Sequence, residues 1–137
     1  MNHFSWNSAL CAGAVDMYNA SVIFRGENIY SNNNASLGSG CLDIVQSNVS
    51  IHGISLFYHN EGVRGGGMHV LVSNVSIHGN SSFVGNTADI QGGAIEVTNG
   101  TLNVTGKATL VKNRALTYTS VLYARHSKIT LPSVAMC

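Results

Sequence analysis

Ser81-Ser82-Phe83-Val84-Gly85-Asn86-Thr87-Ala88, followed by Gly92-Gly93-Ala94-Ile95, decides how this chain folds. The stretch runs aromatic, Asn three residues on, Ala two beyond that, then a glycine turn into a short apolar strand. The same order recurs on both sides. Phe4, Asn7 and Ala9 lead to Gly13-Ala14-Val15, and Tyr30, Asn33 and Ala35 lead to Gly40-Cys41-Leu42. Phe57, Asn60 and Gly62 lead to Gly66-Gly67-Met68, and Leu110, Asn113 and Ala115 lead to Ser120-Val121-Leu122. The lead positions lie 26, 27, 26 and 27 residues apart. A period in this range, held along a whole chain, marks a solenoid.

Within each repeat the apolar residues alternate. Leu42 and Ile44 flank Asp43, Val49 and Ile51 flank Ser50, and Leu56-Phe57 sits in a third run. The other repeats share the layout: Val15/Met17 and Val22/Phe24, Met68/Val70 and Val75/Ile77, Ile95/Val97 and Leu102/Val104, Leu122/Ala124 and Ile129/Leu131. Alternation over four or five residues with β-branched enrichment predicts half-buried strands, and no apolar set holds helical spacing for three turns. One repeat cannot enclose a core, but stacked repeats can, each strand pairing with its equivalent about 4.8 Å away. The prediction is an all-β, right-handed parallel β-helix of about five coils, three short strands per coil, with residues 1–137 as a single segment. A sandwich of hairpins would explain the short strands but not the constant repeat length.

In that fold Phe4, Tyr30, Phe57, Phe83 and Leu110 stack in one interior column, with Cys137 on the next register. Asn7, Asn33, Asn60, Asn86 and Asn113 form a ladder at a corner, where side-chain amides satisfy backbone groups that no strand pairs. Asn also tolerates the left-handed backbone a sharp corner needs. Both columns read as structural.

Charged residues make up only 9 %, and net charge is +1, with Lys and Arg spread over all coils. That distribution offers no footprint for nucleic acid. No run is long enough to span a bilayer, and no signal peptide is read at the N-terminus. Met1 stands three residues before the first aromatic, so the chain opens in mid-repeat. The expectation is a fragment of a longer solenoid, with further coils at both ends or end-to-end self-association, because solenoids need polar caps. Cys11, Cys41 and Cys137 fit no zinc or redox spacing. Cys11 is offset by about three positions from the residue stacked on Cys41, roughly 10 Å of extended chain. Free, half-buried thiols are therefore expected, with a Cys11–Cys41 bridge as the alternative.

The tandem F-x-x-N and G-G-A-[ILV] motifs resemble those of the polymorphic outer-membrane proteins, which are autotransporter-type surface proteins. Phe83-Val84-Gly85-Asn86 with Gly92-Gly93-Ala94-Ile95 matches both halves, and Phe57-Tyr58-His59-Asn60 with Gly65-Gly66-Gly67-Met68 nearly does. Phe4-Ser5-Trp6-Asn7 keeps the first half. Tyr30 and Leu110 replace Phe, and Thr119-Ser120-Val121-Leu122 has lost both glycines. The resemblance spans essentially the whole chain. It implies a secreted or cell-surface, passenger-like module, at the outer membrane if bacterial, with an adhesive or interaction role toward protein or glycan.

The residues between the inward pairs form a column of Asp16, Asp43, His69, Glu96 and Tyr123. Neighbouring carboxylates there would repel, the arrangement that paired acids use in glycoside hydrolysis. Yet no Arg or Lys shares the column, and an open outer face has the same composition. It is taken as a candidate binding face, not a catalytic one. His52 and His78 occupy equivalent positions with Arg25 and Thr105 on either side, too few ligands for zinc. No calcium-binding nonapeptide repeat is present. Gly65-Gly66-Gly67 lacks the Lys-Ser/Thr of a phosphate loop and is a turn. No cofactor is expected. Seven N-x-[ST] sequons occur, at Asn19, Asn34, Asn48, Asn74, Asn80, Asn99 and Asn103, and the turn placement of Asn48, Asn74 and Asn80 makes them the candidate glycosylation sites. The expected function is a non-enzymatic extracellular β-helix module, with a carbohydrate-active enzyme as the alternative.

Overall fold

A computed structural model describes residues 1–132 and 134–136, the last three by backbone alone. Among the described residues all regular structure is β, and every paired strand is parallel to an equivalent 26 or 27 residues away. The chain is a parallel β-solenoid of about five coils, built from one six-stranded and three five-stranded sheets. The aromatic sheet comprises Asn2–Ser5, Glu27–Ser31, Ile54–Tyr58, Asn80–Val84, Ala108–Val111 and Val134–Met136. The acid-column sheet comprises Val15–Tyr18, Leu42–Val45, Met68–Leu71, Ile95–Thr98 and Leu122–Arg125. Ser21–Phe24, Asn48–Ile51, Asn74–Ile77, Thr101–Val104 and Lys128–Thr130 form the third. A fourth, corner sheet follows the asparagines: Ser8–Ala9, Asn34–Ala35, Glu61–Arg64, Thr87–Gln91 and Arg114–Ala115. Two-residue strands leave too little alternation to be read from sequence.

Inward side chains fill the tube. Leu42, Ile44, Ile51, Met68, Val70, Val75, Ile77 and Leu102 are fully buried in one continuous core. Phe4, Tyr30, Phe57 and Phe83 stack with ring centroids 5.0, 4.8 and 4.3 Å apart and interplanar angles of 14°, 11° and 3°. Those separations match the inter-strand spacing, so the backbone ladder dictates how the rings meet. Leu110 continues the column beside Phe83. Its next register mate is Met136, not Cys137, which lies outside the described residues. The cause is local: Ile129 to Met136 spans seven residues where Leu102 to Leu110 spans eight.

The asparagine column saturates its hydrogen bonds. Asn60 Nδ2 donates to Asn86 Oδ1 (3.0 Å) in the next coil and to Tyr30 O (3.0 Å) in the previous one. Asn60 Oδ1 accepts from Asn33 N and Asn33 Nδ2, at 3.1 and 2.9 Å. Asn33, Asn86 and Asn113 repeat the pattern toward Phe4, Phe57 and Phe83. The left-handed backbone at this corner belongs to the preceding residue instead: Trp6, Asn32, His59, Gly85 and Lys112 have φ between 50° and 65°. The asparagines supply bonds, and their neighbours supply the bend.

A second corner uses serine in the same way. Asn19, Gln46, Val72, Asn99 and His126 are left-handed there, Val72 despite its β-branch. Ser47 Oγ accepts from Ala20 N (3.0 Å) and donates to Val45 O (2.7 Å). Ser73 and Ser127 do likewise toward Ser47 and Gly100. At a third corner Gly53, Gly79 and Gly106 pack so closely on the glycine of the preceding coil that any Cβ would strike its carbonyl oxygen. Only glycine closes that turn.

Cys11 and Cys41 are both free thiols, but neither is half-buried: Cys11 is exposed and Cys41 sits in the core. Burial pushes the Cys41 thiol well above its ordinary range. Burial, and then the neighbouring Cys41, push the Tyr30 phenol up as well. Both groups stay neutral in the folded chain while the unfolded chain ionises from about pH 8.5 upward. Their contribution to stability is therefore complete below that pH and is lost as pH rises toward the folded values. Thermal melts from pH 7 to 10.5 should show a falling midpoint above about pH 8.5, with a shallower fall in Cys41→Ala.

The ladders predict opposite outcomes for two buried polar groups. Asn60→Ala removes the side-chain partners of Tyr30 O and Asn33 N at once and leaves Asn86 Oδ1 with one donor instead of two, for a loss of about 3 kcal/mol. Ser81 Oγ is buried with no partner among the described residues. Ser81→Ala should be neutral to within about 0.5 kcal/mol, or stabilising. Urea denaturation measures both, and equal costs would contradict the ladder account.

Candidate functional site

Asp16, Asp43, His69, Glu96 and Tyr123 do share one register across the acid-column sheet. They do not form an open face. Asp16 is exposed and Tyr123 half-buried, but Asp43 and His69 are each 8 % exposed and Glu96 is 0 % exposed. The expectation of a solvated binding face fails for these three because the segment between the asparagine corner and the acid-column strand folds back over them. A Cβ on Gly38 would come within 2.5 Å of Asp43 Oδ2, and one on Gly92 within 2.9 Å of Glu96 Cβ. Glycines let the covering chain lie directly on the acids.

Under that cover the charges pair. His69 Nδ1–H donates to Asp43 Oδ1 at 2.9 Å, and His69 Nε2 lies 4.0 Å from Glu96 Oε1. Glu96 Oε1 accepts from Arg64 Nη1 (3.0 Å), Gln91 Nε2 (2.8 Å) and Thr98 Oγ1 (3.4 Å). Glu96 Oε2 is buried without a partner among the described residues. No Arg or Lys stands in the column, but Arg64 reaches it from the corner sheet of the preceding coil. A bulge delivers Gln91: Gly62 pairs with Ala88, then Arg64 pairs with Gln91, so the later strand carries one extra residue. Sequence reading missed both partners. The one available signal was loop length, since Gly62 to Met68 spans six residues and Ala88 to Ile95 seven.

This geometry does not present two acids to a sugar. Asp43 and Glu96 stand two coils apart with His69 between them, roughly 10 Å by strand spacing, and the covering chain excludes a polymer from both. The accessible surface beside Glu96 is a cleft of about 520 Å³ lined by Arg64, Ile90, Gln91, Tyr118, Tyr123 and Arg125. Arg64 and Gln91 thus hold Glu96 with their polar tips while forming part of the cleft wall.

The remaining candidates stay apart from this cleft. His52 and His78 stack with centroids 4.7 Å apart, and Thr105 Oγ1 lies 3.4 Å from His78 Nδ1. No group of three or more His, Cys, Asp or Glu side chains suited to a metal occurs among the described residues. Asn48, Asn74 and Asn80 are exposed, but each opens a strand and none lies in a turn, because parallel pairing extends back to include them. Asn74 Nδ2 donates to Asn48 Oδ1 at 3.2 Å, and Asn80 Oδ1 accepts from Lys107 N at 3.3 Å. No helix among the described residues is long and apolar enough to cross a membrane. No protein-family model matches the chain, and no curated protein or solved structure matches it either.

Replacing the buried acid tests the cluster. Glu96→Gln removes the charge facing Arg64 and buries an amide NH2 where the unpartnered Oε2 lay, for a loss of about 3 kcal/mol. Asp16→Asn, on the exposed end of the same column, should change stability by less than about 0.5 kcal/mol. Guanidinium denaturation of the two variants separates a buried cluster from a solvated face.

Proposed function

We propose that the chain is a non-enzymatic segment of an extracellular or cell-surface β-helix, serving as a stalk and as a lateral interaction surface. The observation that carries this reading is the sealing of the acid column: the carboxylates that would do chemistry are tied to His69, Arg64 and Gln91 beneath the covering chain. A tube that covers Asp43 and Glu96 and repeats its outer faces suits display over length. The motif resemblance to the polymorphic outer-membrane proteins supports a passenger-like role, placed at the outer membrane in a bacterium, with protein or glycan as partner and further coils stacking on both ends. The low charge and abundant uncharged polar residues fit an exposed module, and exposed Asn48, Asn74 and Asn80 accept glycans if the source is eukaryotic.

The competing reading is a carbohydrate-active β-helix enzyme, favoured by the cleft that adjoins Glu96. Incubating the chain with a panel of neutral and acidic polysaccharides and measuring reducing ends and unsaturated products discriminates the two. The expected result is no turnover, together with retention of cells on surfaces coated with the chain. Turnover abolished by Asp43→Asn or Glu96→Gln would overturn the proposal in favour of the enzyme.

A further inference from the structure

Three features of the cleft beside the buried cluster bear on what it can hold. Two tyrosines line it together, Tyr118 61 % exposed and Tyr123 half-buried. Its polar wall is fixed from below, since Arg64 and Gln91 are anchored on Glu96. It also carries two unequal cations. Arg64 is neutralised by Glu96 at 3.0 Å, whereas Arg125 is exposed and has no carboxylate partner among the described residues.

The walls are preorganised. Leu116, Thr117 and Tyr118 donate their backbone N–H groups to Ala88, Asp89 and Ile90 of the preceding coil, at 2.9, 3.0 and 2.8 Å. This pinned segment also belongs to the stretch where repeat length varies: Ala9 to Val15 and Gly62 to Met68 span six residues, and the equivalents in the other three coils span seven. A pinned backbone at an edge where repeat length varies is where binding specificity is placed. The backbone under such a site loses little conformational entropy when it is filled.

We propose that this cleft binds a saccharide unit bearing an anionic group. The tyrosine rings offer apolar faces for the C–H side of a pyranose while their hydroxyls meet sugar hydroxyls. Arg125 pairs the anion, carboxylate or sulfate, with a charge-assisted hydrogen bond. Arg64, already neutralised, contributes N–H donors without a second uncompensated charge. One free cation selects a singly charged unit over nucleic acid, which needs a run of them. Ile90 is the one aliphatic side chain in the lining, too little for the buried anchor a protein partner requires. The assignment rests on the reading of the chain as an interaction surface and names what that surface takes.

Protein-observed NMR titration of the intact chain tests it with four probes: a glucuronate-containing disaccharide, a sulfated disaccharide, a neutral disaccharide and a glutamate-rich peptide. The expected outcome is shifts confined to residues 90–91, 118, 123 and 125, with an acidic saccharide binding more tightly than the neutral one. The two acidic probes distinguish carboxylate from sulfate as the preferred anion. Arg125→Ala should weaken the acidic probe about tenfold, to the level of the neutral one, with the neutral probe unchanged. Tyr118→Ala should weaken both, and both substitutions lie on exposed positions that the fold does not need. Absence of saccharide binding at millimolar concentration, equal binding of the peptide, or an acidic preference untouched by Arg125→Ala overturns the assignment. Cell retention that survives both variants would remove the cleft while leaving the interaction-surface reading in place.

Discussion

The amides of Asn33, Asn60 and Asn86 each join three coils, and the rest of the architecture depends on that bond set. The amide donates backward to an aromatic residue's carbonyl and forward to the next asparagine, while its oxygen receives two N–H groups from the coil behind. No coil can slip along its neighbour by one residue without breaking several of these bonds at once. Register being fixed there, the aromatic rings fall into face-to-face contact and the aliphatic columns meet in the core. The ladder also offsets the cost of the bend. A left-handed residue of ordinary type costs roughly 1–2 kcal/mol, and every corner of this kind but the one at Gly85 contains one beside its amide or hydroxyl.

The parts of the fold that were legible in the sequence are those in which contact and period coincide. Phe57 and Phe83 touch because they are one period apart, and Asn60 and Asn86 bond for the same reason. The alternating pattern found three sheets but not the corner sheet, whose strands shrink to two residues in three coils. Ser47 and Ser73 were visible as turn punctuation. Their hydroxyls acquire a purpose only once Gln46 and Val72 are known to be left-handed. Asp43, His69 and Glu96 were correctly placed in one column and wrongly placed in water, because their burial is decided by an irregular segment of changing length. The Arg64–Glu96 pair joins residues 32 apart, which is not a multiple of the period, so repeat alignment has no means of finding it.

That pair and its neighbours sit oddly in a chain with so few charges. Two of its six acids lie under the covering segment, in a setting where desolvation consumes most of what pairing returns. A set of aliphatic side chains would cover the sheet as well. What the charges add is direction: Glu96 accepts from Arg64 in one coil and Gln91 in the next, clamping two turns of irregular backbone to the regular sheet below. The ladders hold the tube, and the ion cluster holds what lies on top of it.

One consequence concerns tension. The backbone bonds between coils run along the axis of the tube, and a single peptide segment passes from each coil to the next. A pull on the two ends therefore loads one inter-coil seam at a time instead of the whole body. Each seam that opens frees one turn of chain, roughly 90 Å of extended polypeptide at 3.4 Å per residue, and exposes a neighbour already folded and able to receive it again. Such a rod lengthens under load as a staircase, shedding force turn by turn, and rewinds on the turns that remain.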